Sequence, residues 1–314
     1  MLARIAHELY WLGRNLARAE FTARAVEAVF RSELQGTSDV QPGVSFGSGG
    51  LLAILGDDGG GTSGANGRPS LDQLTLDPAR PGSMLASIER AREGARTVRD
   101  VISAEMWEAI NTTTIELRDR VRPGWEGPAG TSVTSQYVKE RAALIWGVAN
   151  RSMLRDEAKS FLDAGGLIEI ADMVLRMLRV ALPQGDSANS DGQALILLQA
   201  VGGFHAYLRA VTSPPNAQPV ARFLLFERAY PDSVAACVDS LHERFTLADA
   251  GPRNSKPVLR VSRLAADLDF QRRALPEGAE LTGICEQTQQ ELASIDQDVA
   301  ERYFAGAASA VERR

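Results

Sequence analysis

The 314-residue chain has little of what marks several common classes of protein. It holds two cysteines, Cys237 and Cys285, far apart and without CxxC spacing. That pattern excludes a disulfide framework and a zinc knuckle and reads as two reduced, small apolar residues. Three histidines, His7, His205 and His242, fall in no HExxH or ExxH spacing, so no metal site is expected on one helix. GxSxG, Cys–His and GxxxxGK[ST] signatures are absent, and the GDDGGG stretch carries acid and no lysine where a phosphate cradle needs positive potential. No cofactor is expected. The longest apolar run, Ala194 to Phe204, falls far short of the ~20 residues that span a bilayer. The opening MLARIAHELYWLGR is interrupted by Arg4, His7 and Glu8, unlike a secretory leader. These features predict a cytoplasmic protein without a membrane segment. A net charge of −6, with acids beside nearly every arginine run, argues against nucleic acid as a partner.

What is present points to helices. Hydrophobic residues make up 44% of the chain and aromatics only 6%, so the apolar content rests on alanine and leucine. Ile5, Leu9, Leu12, Leu16, Ala19, Ala23, Val26 and Phe30 alternate at spacings of four and three, which predicts one long first helix. A Gly/Ser/Asp-rich segment, 36–69, reads as a long flexible loop, either a lid or plain disorder. Helices are expected over 83–117, over 135–182 with a break near Ser152 or Gly165, over 193–210, over 233–245 and over 280–304, with an apolar run over 220–226. Segments 183–192 and 250–257 read as linkers. In the last helix Leu281, Ile284, Thr288, Leu292, Ile295 and Val299 keep helical spacing. No strand alternation is evident, so the expected fold is an all-α helical bundle.

Two stretches repeat. His7–Val29 and Lys159–Ala181 hold their apolar stripes in register and pair Gly13 with Gly165, Glu20 with Asp172 and Arg24 with Arg176. At nearly the same offset, LTLDPARPGSM matches LLFERAYPDSV, sharing a proline and a serine suited to a turn and helix N-cap. Two matches at almost one offset predict internal duplication, with copies over 1–150 and 151–314 packed as one body.

On a helical wheel the first helix sets His7, Tyr10, Trp11, Arg14, Arg18, Phe21 and Arg24 opposite its leucine stripe, with Glu20 at the edge. Such a face either lines a cleft that binds an anionic group or packs on another helix with its arginine heads paired. The AREGARTVRD segment, with Glu93 and Arg96, either faces the same cleft or is a solvated face of local ion pairs.

YWLGRNLARAEFTAR, AREGARTVRDVISAEMWEAIN, MLRDEAKSFLDAGGLIEIADMVLRML, GGFHAYLRA and VARFLLFERAYPDSV resemble, in order, the blocks of the alpha-E domain family, over nearly the whole chain. The resemblance implies an all-helical protein whose relatives are encoded beside, or fused to, atypical ATP-grasp amide-bond ligases and transglutaminase-like peptidases. The family's helix motif runs Gly-Arg-x-x-Glu-Arg-Ala. Here Ala17 stands in the glutamate place of the first copy, and Gly166 and Ile170 stand in the arginine places of the second. The first copy keeps Arg14 and Arg18 and the second keeps Glu169, which leaves either one composite site or a decayed scaffold.

Two functional expectations follow. One is an accessory or binding subunit of an ATP-grasp-linked amide- or peptide-forming system. Its partners would be the ligase, a transglutaminase-like protein, or a peptide-like or carboxylate ligand held by Tyr10, Trp11, Arg14, Arg18, Glu20, Arg24, Arg96 and Arg176. The other is an enzyme of amide or peptide metabolism, with Glu169, Asp172 or Glu93 as acid and base and Arg14, Arg18 and Arg176 clamping carboxylates.

Overall fold

In the computed structural model the described residues are 1–34, 47–55, 71–121, 127–181, 190–249 and 255–305. Among them are twelve α-helices, one short 3-10 turn at Leu71–Leu74 and no strand. In chain order the helices are α1 (Ala3–Leu34), α2 (Ser48–Ile54), α3 (Met84–Thr97), α4 (Ala104–Asp119), α5 (Pro128–Ser152) and α6 (Glu157–Ala181). They continue with α7 (Ser190–Ala200), α8 (Phe204–Ala210), α9 (Ala217–Phe226), α10 (Val234–Ala248), α11 (Lys256–Ala274) and α12 (Ala279–Tyr303).

The architecture is organised about α1 and α6, which pack on each other more extensively than any other pair. Helices α3, α5 and α7 also lie against α1, and α10 and α12 lie against α6. Helix α1 is therefore central: Leu9, Leu12 and Leu16 are fully buried, but so are Tyr10 and Phe21 on its other side. The polar face read from the helical wheel is largely interior.

Two glycines permit this packing. A Cβ on Gly13 would overlap the carbonyl oxygen of Leu162, and a Cβ on Gly165 would overlap the carbonyl oxygen of Tyr10. The contact is reciprocal, each glycine lying against the carbonyl three residues before the other. Gly165 therefore does not break a helix. The break falls at 153–156, where Asp156 Oδ1 accepts from the backbone N–H groups of Ala158 and Lys159 and caps the start of α6. Ser83 and Ser233 likewise begin α3 and α10, each in extended conformation and accepting from the N–H three residues on.

Several boundaries differ from the sequence expectation. The 36–69 segment contains α2, whose Leu51 and Ile54 are buried; the rest of that segment, and with it the lid alternative, lies outside the described residues. The expected helix over 193–210 is two helices. Gly202 takes a positive φ of 75°, and Gly202 and Gly203 donate to the carbonyls of Gln199 and Leu198, which ends α7. Of the two linkers, 190–192 and 256–257 are helical, and the remainder apart from Ser255 is outside the described residues. Helix α11 was not expected. Its signals are Ser255 in the N-cap place, a proline in the first turn, and buried Val258, Val261, Leu264 and Leu268. In α12 all six residues of the expected stripe are buried.

The packing yields paired expectations for alanine scanning of glycines. Gly13→Ala and Gly165→Ala each force the α1 and α6 backbones apart and lower the unfolding free energy by about 3 kcal/mol in urea melts. Gly147→Ala and Gly283→Ala sit in helices with open space around the new methyl and raise it by about 0.5–1 kcal/mol. Equal effects at all four positions contradict the close contact.

Candidate functional site

Residues 10, 14 and 18 of α1 stand one turn apart and face α6 and α12. Arg14 donates from Nε to Glu169 Oε2 at 2.9 Å and from Nη1 to Asp296 Oδ2 at 2.9 Å. Arg18 donates from Nε to Glu169 Oε1 at 2.6 Å and from Nη2 to Oε2 at 3.0 Å. The Tyr10 hydroxyl donates to Asp296 Oδ1 at 2.5 Å. The Arg14 guanidinium also lies 4.9 Å from the centroid of the Trp11 ring. Glu169 is 1% exposed. Burial pushes its carboxyl up, but Arg18 and Arg14 outweigh that and hold it below the ordinary value. Burial, reinforced by Asp296, pushes the Tyr10 hydroxyl well up, so it remains a protonated donor. The cluster is a buried, internally paired strut between three helices.

Beyond it along α1 opens a cleft of about 350 Å³ between α1, α5, α6 and α10. Arg24 spans one end, donating to Glu20 at 2.5 Å, to Asp232 Oδ2 at 3.1 Å and to the Val201 carbonyl at 3.3 Å. Burial raises the carboxyls of both Glu20 and Asp232; Arg24 opposes this without cancelling it. One guanidinium is thus shared by two partly desolvated acids. The walls are Trp146, Phe21, Leu167 and Ile170. Trp146 lies over Gly166, where a Cβ would approach the ring to 2.9 Å. Toward the other end Asp163 meets Lys159, and Arg244 lies 3.8 Å from Asp163.

The sequence matches a family described as Alpha-E, a predicted alpha-helical domain with a conserved ER motif, over residues 1–304. The chain belongs to the Alpha-E family. Its relatives include an uncharacterized protein of Mycobacterium bovis and two uncharacterized proteins of Mycobacterium tuberculosis strains. Each is 27% identical over 301 residues, covering 88% of this chain but 33% of the relative. The chain therefore spans about a third of the length of these curated relatives. No solved structure matches.

Mapped onto this Alpha-E chain, the sequence candidates divide into four places. Tyr10, Trp11, Arg14, Arg18 and Glu169 come together in the buried strut, with arginines from α1 and the glutamate from α6. Glu20 and Arg24 line the cleft. Asp172 and Arg176 pair with each other on α6 at 2.8 Å, where Gln289 donates to Asp172 and Arg176 to the Ile54 carbonyl. Glu93 and Arg96 pair on the exposed side of α3 and do not face the cleft. The positions matching Arg14 and Arg18 in the second stretch, Gly166 and Ile170, line the cleft. Sequence reasoning missed Asp296, Trp146, Asp163, Asp232 and Arg244. Only Asp232 left a signal, as the residue that differs between the matched turns Pro-Gly-Ser and Pro-Asp-Ser.

Glu169→Gln leaves Arg18 without its counter-charge and Arg14 with Asp296 alone, and is expected to cost about 3 kcal/mol at pH 7. The folded carboxyl titrates below its ordinary value of 4.5. Its contribution is therefore complete above that pH and is lost as pH falls through the folded value. In urea melts the wild-type advantage narrows only on acidification below 4.5; a variant as stable as wild type at pH 7 contradicts the strut.

Proposed function

We propose that this Alpha-E chain is a binding module whose cleft between α1, α5, α6 and α10 holds a small ligand, serving as an accessory subunit in an ATP-grasp-linked amide- or peptide-forming system. One observation carries the choice of binding over catalysis. Both oxygens of Glu169 are engaged by Arg14 and Arg18 and the carboxyl is held ionised, so it neither gives up a proton at neutral pH nor reaches a substrate. Asp172 is engaged by Arg176 and Gln289, and Glu93 faces solvent, paired with Arg92 and Arg96 outside any cleft. The arginines expected to clamp a carboxylate are used within the protein, which moves the ligand site to Glu20 and Arg24.

The link to a ligase rests on the family resemblance. The duplication reading, 1–150 and 151–314, is supported by the reciprocal packing of Gly13 and Gly165 and by the like caps at Ser83 and Ser233. Cytoplasmic residence is supported by the two buried free cysteines. No helix of the described residues is long and apolar enough to cross a membrane.

A second reading has one observation in its favour. The raised carboxyls of Glu20 and Asp232 line a concave site, as acid–base residues of an enzyme do. Under it the cleft would release an altered molecule instead of the one it took up.

Ser240 lines the cleft, so Ser240→Trp fills it without touching the strut. Purified from the native host, wild type is expected to carry a small molecule detectable by mass spectrometry and to bring down an ATP-grasp ligase; the variant, equally folded, retains under a tenth of that molecule. Equal retention, or a wild type that brings neither, contradicts the binding reading. Conversion of the released molecule on re-addition to wild type favours the enzyme.

A further inference from the structure

One end of the cleft carries an excess of acid and the other a loosely held guanidinium. At one end Glu20 and Asp232 share the single cation of Arg24, leaving one negative charge unmatched when both acids are ionised. Asp232 meets Arg24 through Oδ2 alone, so among the described residues Oδ1 remains open to a donor. At the other end Asp163 is already paired with Lys159, whose ammonium is buried against it. Arg244 holds Asp163 only at 3.8 Å, and its other contact, at 3.5 Å, is to the exposed Glu243. Contacts of that length hold a guanidinium weakly, so Arg244 is free to exchange them for a better-matched acceptor.

Between the ends the wall is apolar and aromatic: Phe21, Trp146, Leu167 and Ile170. Val234 and Arg244 are ten residues apart on α10, roughly 15 Å at the helical rise, and Asp232 lies in the turn just before that helix. The reach of an arginine side chain shortens that span to two or three extended residues at about 3.5 Å each. A ligand that satisfies both ends must hold its own charges apart and place an uncharged body against the indole.

We propose that the cleft binds a zwitterion, a short unblocked peptide, with its α-ammonium between Glu20 and Asp232, its carboxylate on Arg244 and an apolar side chain against Trp146. The proposal rests on the binding reading of the cleft and adds the ligand's chemistry and direction. The ammonium donates to Asp232 Oδ1 and supplies the cation that the two acids lack. The carboxylate takes a paired guanidinium contact in place of the loose one to Asp163. A free anion meets the excess negative end, and a simple amine leaves Arg244 unmatched.

The test uses ligand-detected saturation-transfer NMR on the full chain with three pools of dipeptides of alanine, leucine, phenylalanine and tyrosine: unblocked, N-acetylated and C-amidated. The unblocked pool is expected to bind and the acetylated pool to lose its signal. Asp232→Asn weakens the unblocked pool by about tenfold or more, the scale of one charged hydrogen bond. Arg244→Gln binds the free acid and the amide equally, a readout that general damage to the cleft does not produce. Absence of signal from the unblocked pool, or equal binding of the acetylated one, overturns the proposal. A host molecule that Ser240→Trp loses and that is not zwitterionic overturns it too, while leaving the binding reading in place.

Discussion

The backbones of α1 and α6 touch where Gly13 and Gly165 lie against each other's preceding turns, and the site geometry follows from that contact. Packed helix axes ordinarily stand 8–10 Å apart, set by the side chains between them. With no side chain on either glycine the axes come closer, and the arginines one and five residues further along α1 reach Glu169 on α6. A methyl at either glycine lengthens every one of those hydrogen bonds together, which ties a helix-packing constraint to an electrostatic one.

Magnitudes decide what the strut is for. Moving a carboxylate out of water costs several kcal/mol even after relaxation, and the attraction of two guanidiniums roughly offsets it. The fully paired cluster therefore adds little net stability compared with apolar residues of the same size. Its larger effect is asymmetric, because any sliding or rotation of α1 against α6 strands a buried charge. The strut thus fixes the register of α1 against α6, and through Asp296 the position of α12. The cleft differs because its charges do not cancel locally. Two acids share one cation at one end, and Arg244 is loosely matched at the other.

Much of the helical framework was legible. The stripes of α1 and α12 follow directly from spacing, and the serines before α3 and α10 mark their starts. Matching the two stretches singled out Gly13 and Gly165, but alignment gave no reason for them; the reason is close backbone approach, which involves residues 152 apart. The α7–α8 break was unreadable because Gly-Gly within an apolar run fits a tolerated glycine as well as a C-cap. Helix α11 was passed over because a charged surface helix with a narrow stripe looks like a loop beside AGPRNSKP. The site itself was half legible. Glu20, Arg24, Arg14 and Arg18 lie on one strongly patterned helix. Asp296, Trp146 and Arg244 come from α12, α5 and α10, and nothing local distinguishes them from surface residues, while Asp232 lies in the turn before α10.

If the contact between Gly13 and Gly165 organises the rest of the structure, the α1–α6 crossing is the last part of the molecule to open. Native-state hydrogen exchange under increasing denaturant measures this directly. Amides of residues 10–18 and 162–170 are expected to exchange only at the global unfolding free energy, while those of α9 and α11 exchange through smaller openings. If the crossing exchanges through a partial opening while α10 and α11 stay protected, α1 and α6 are not the constraint on which the strut and the cleft depend.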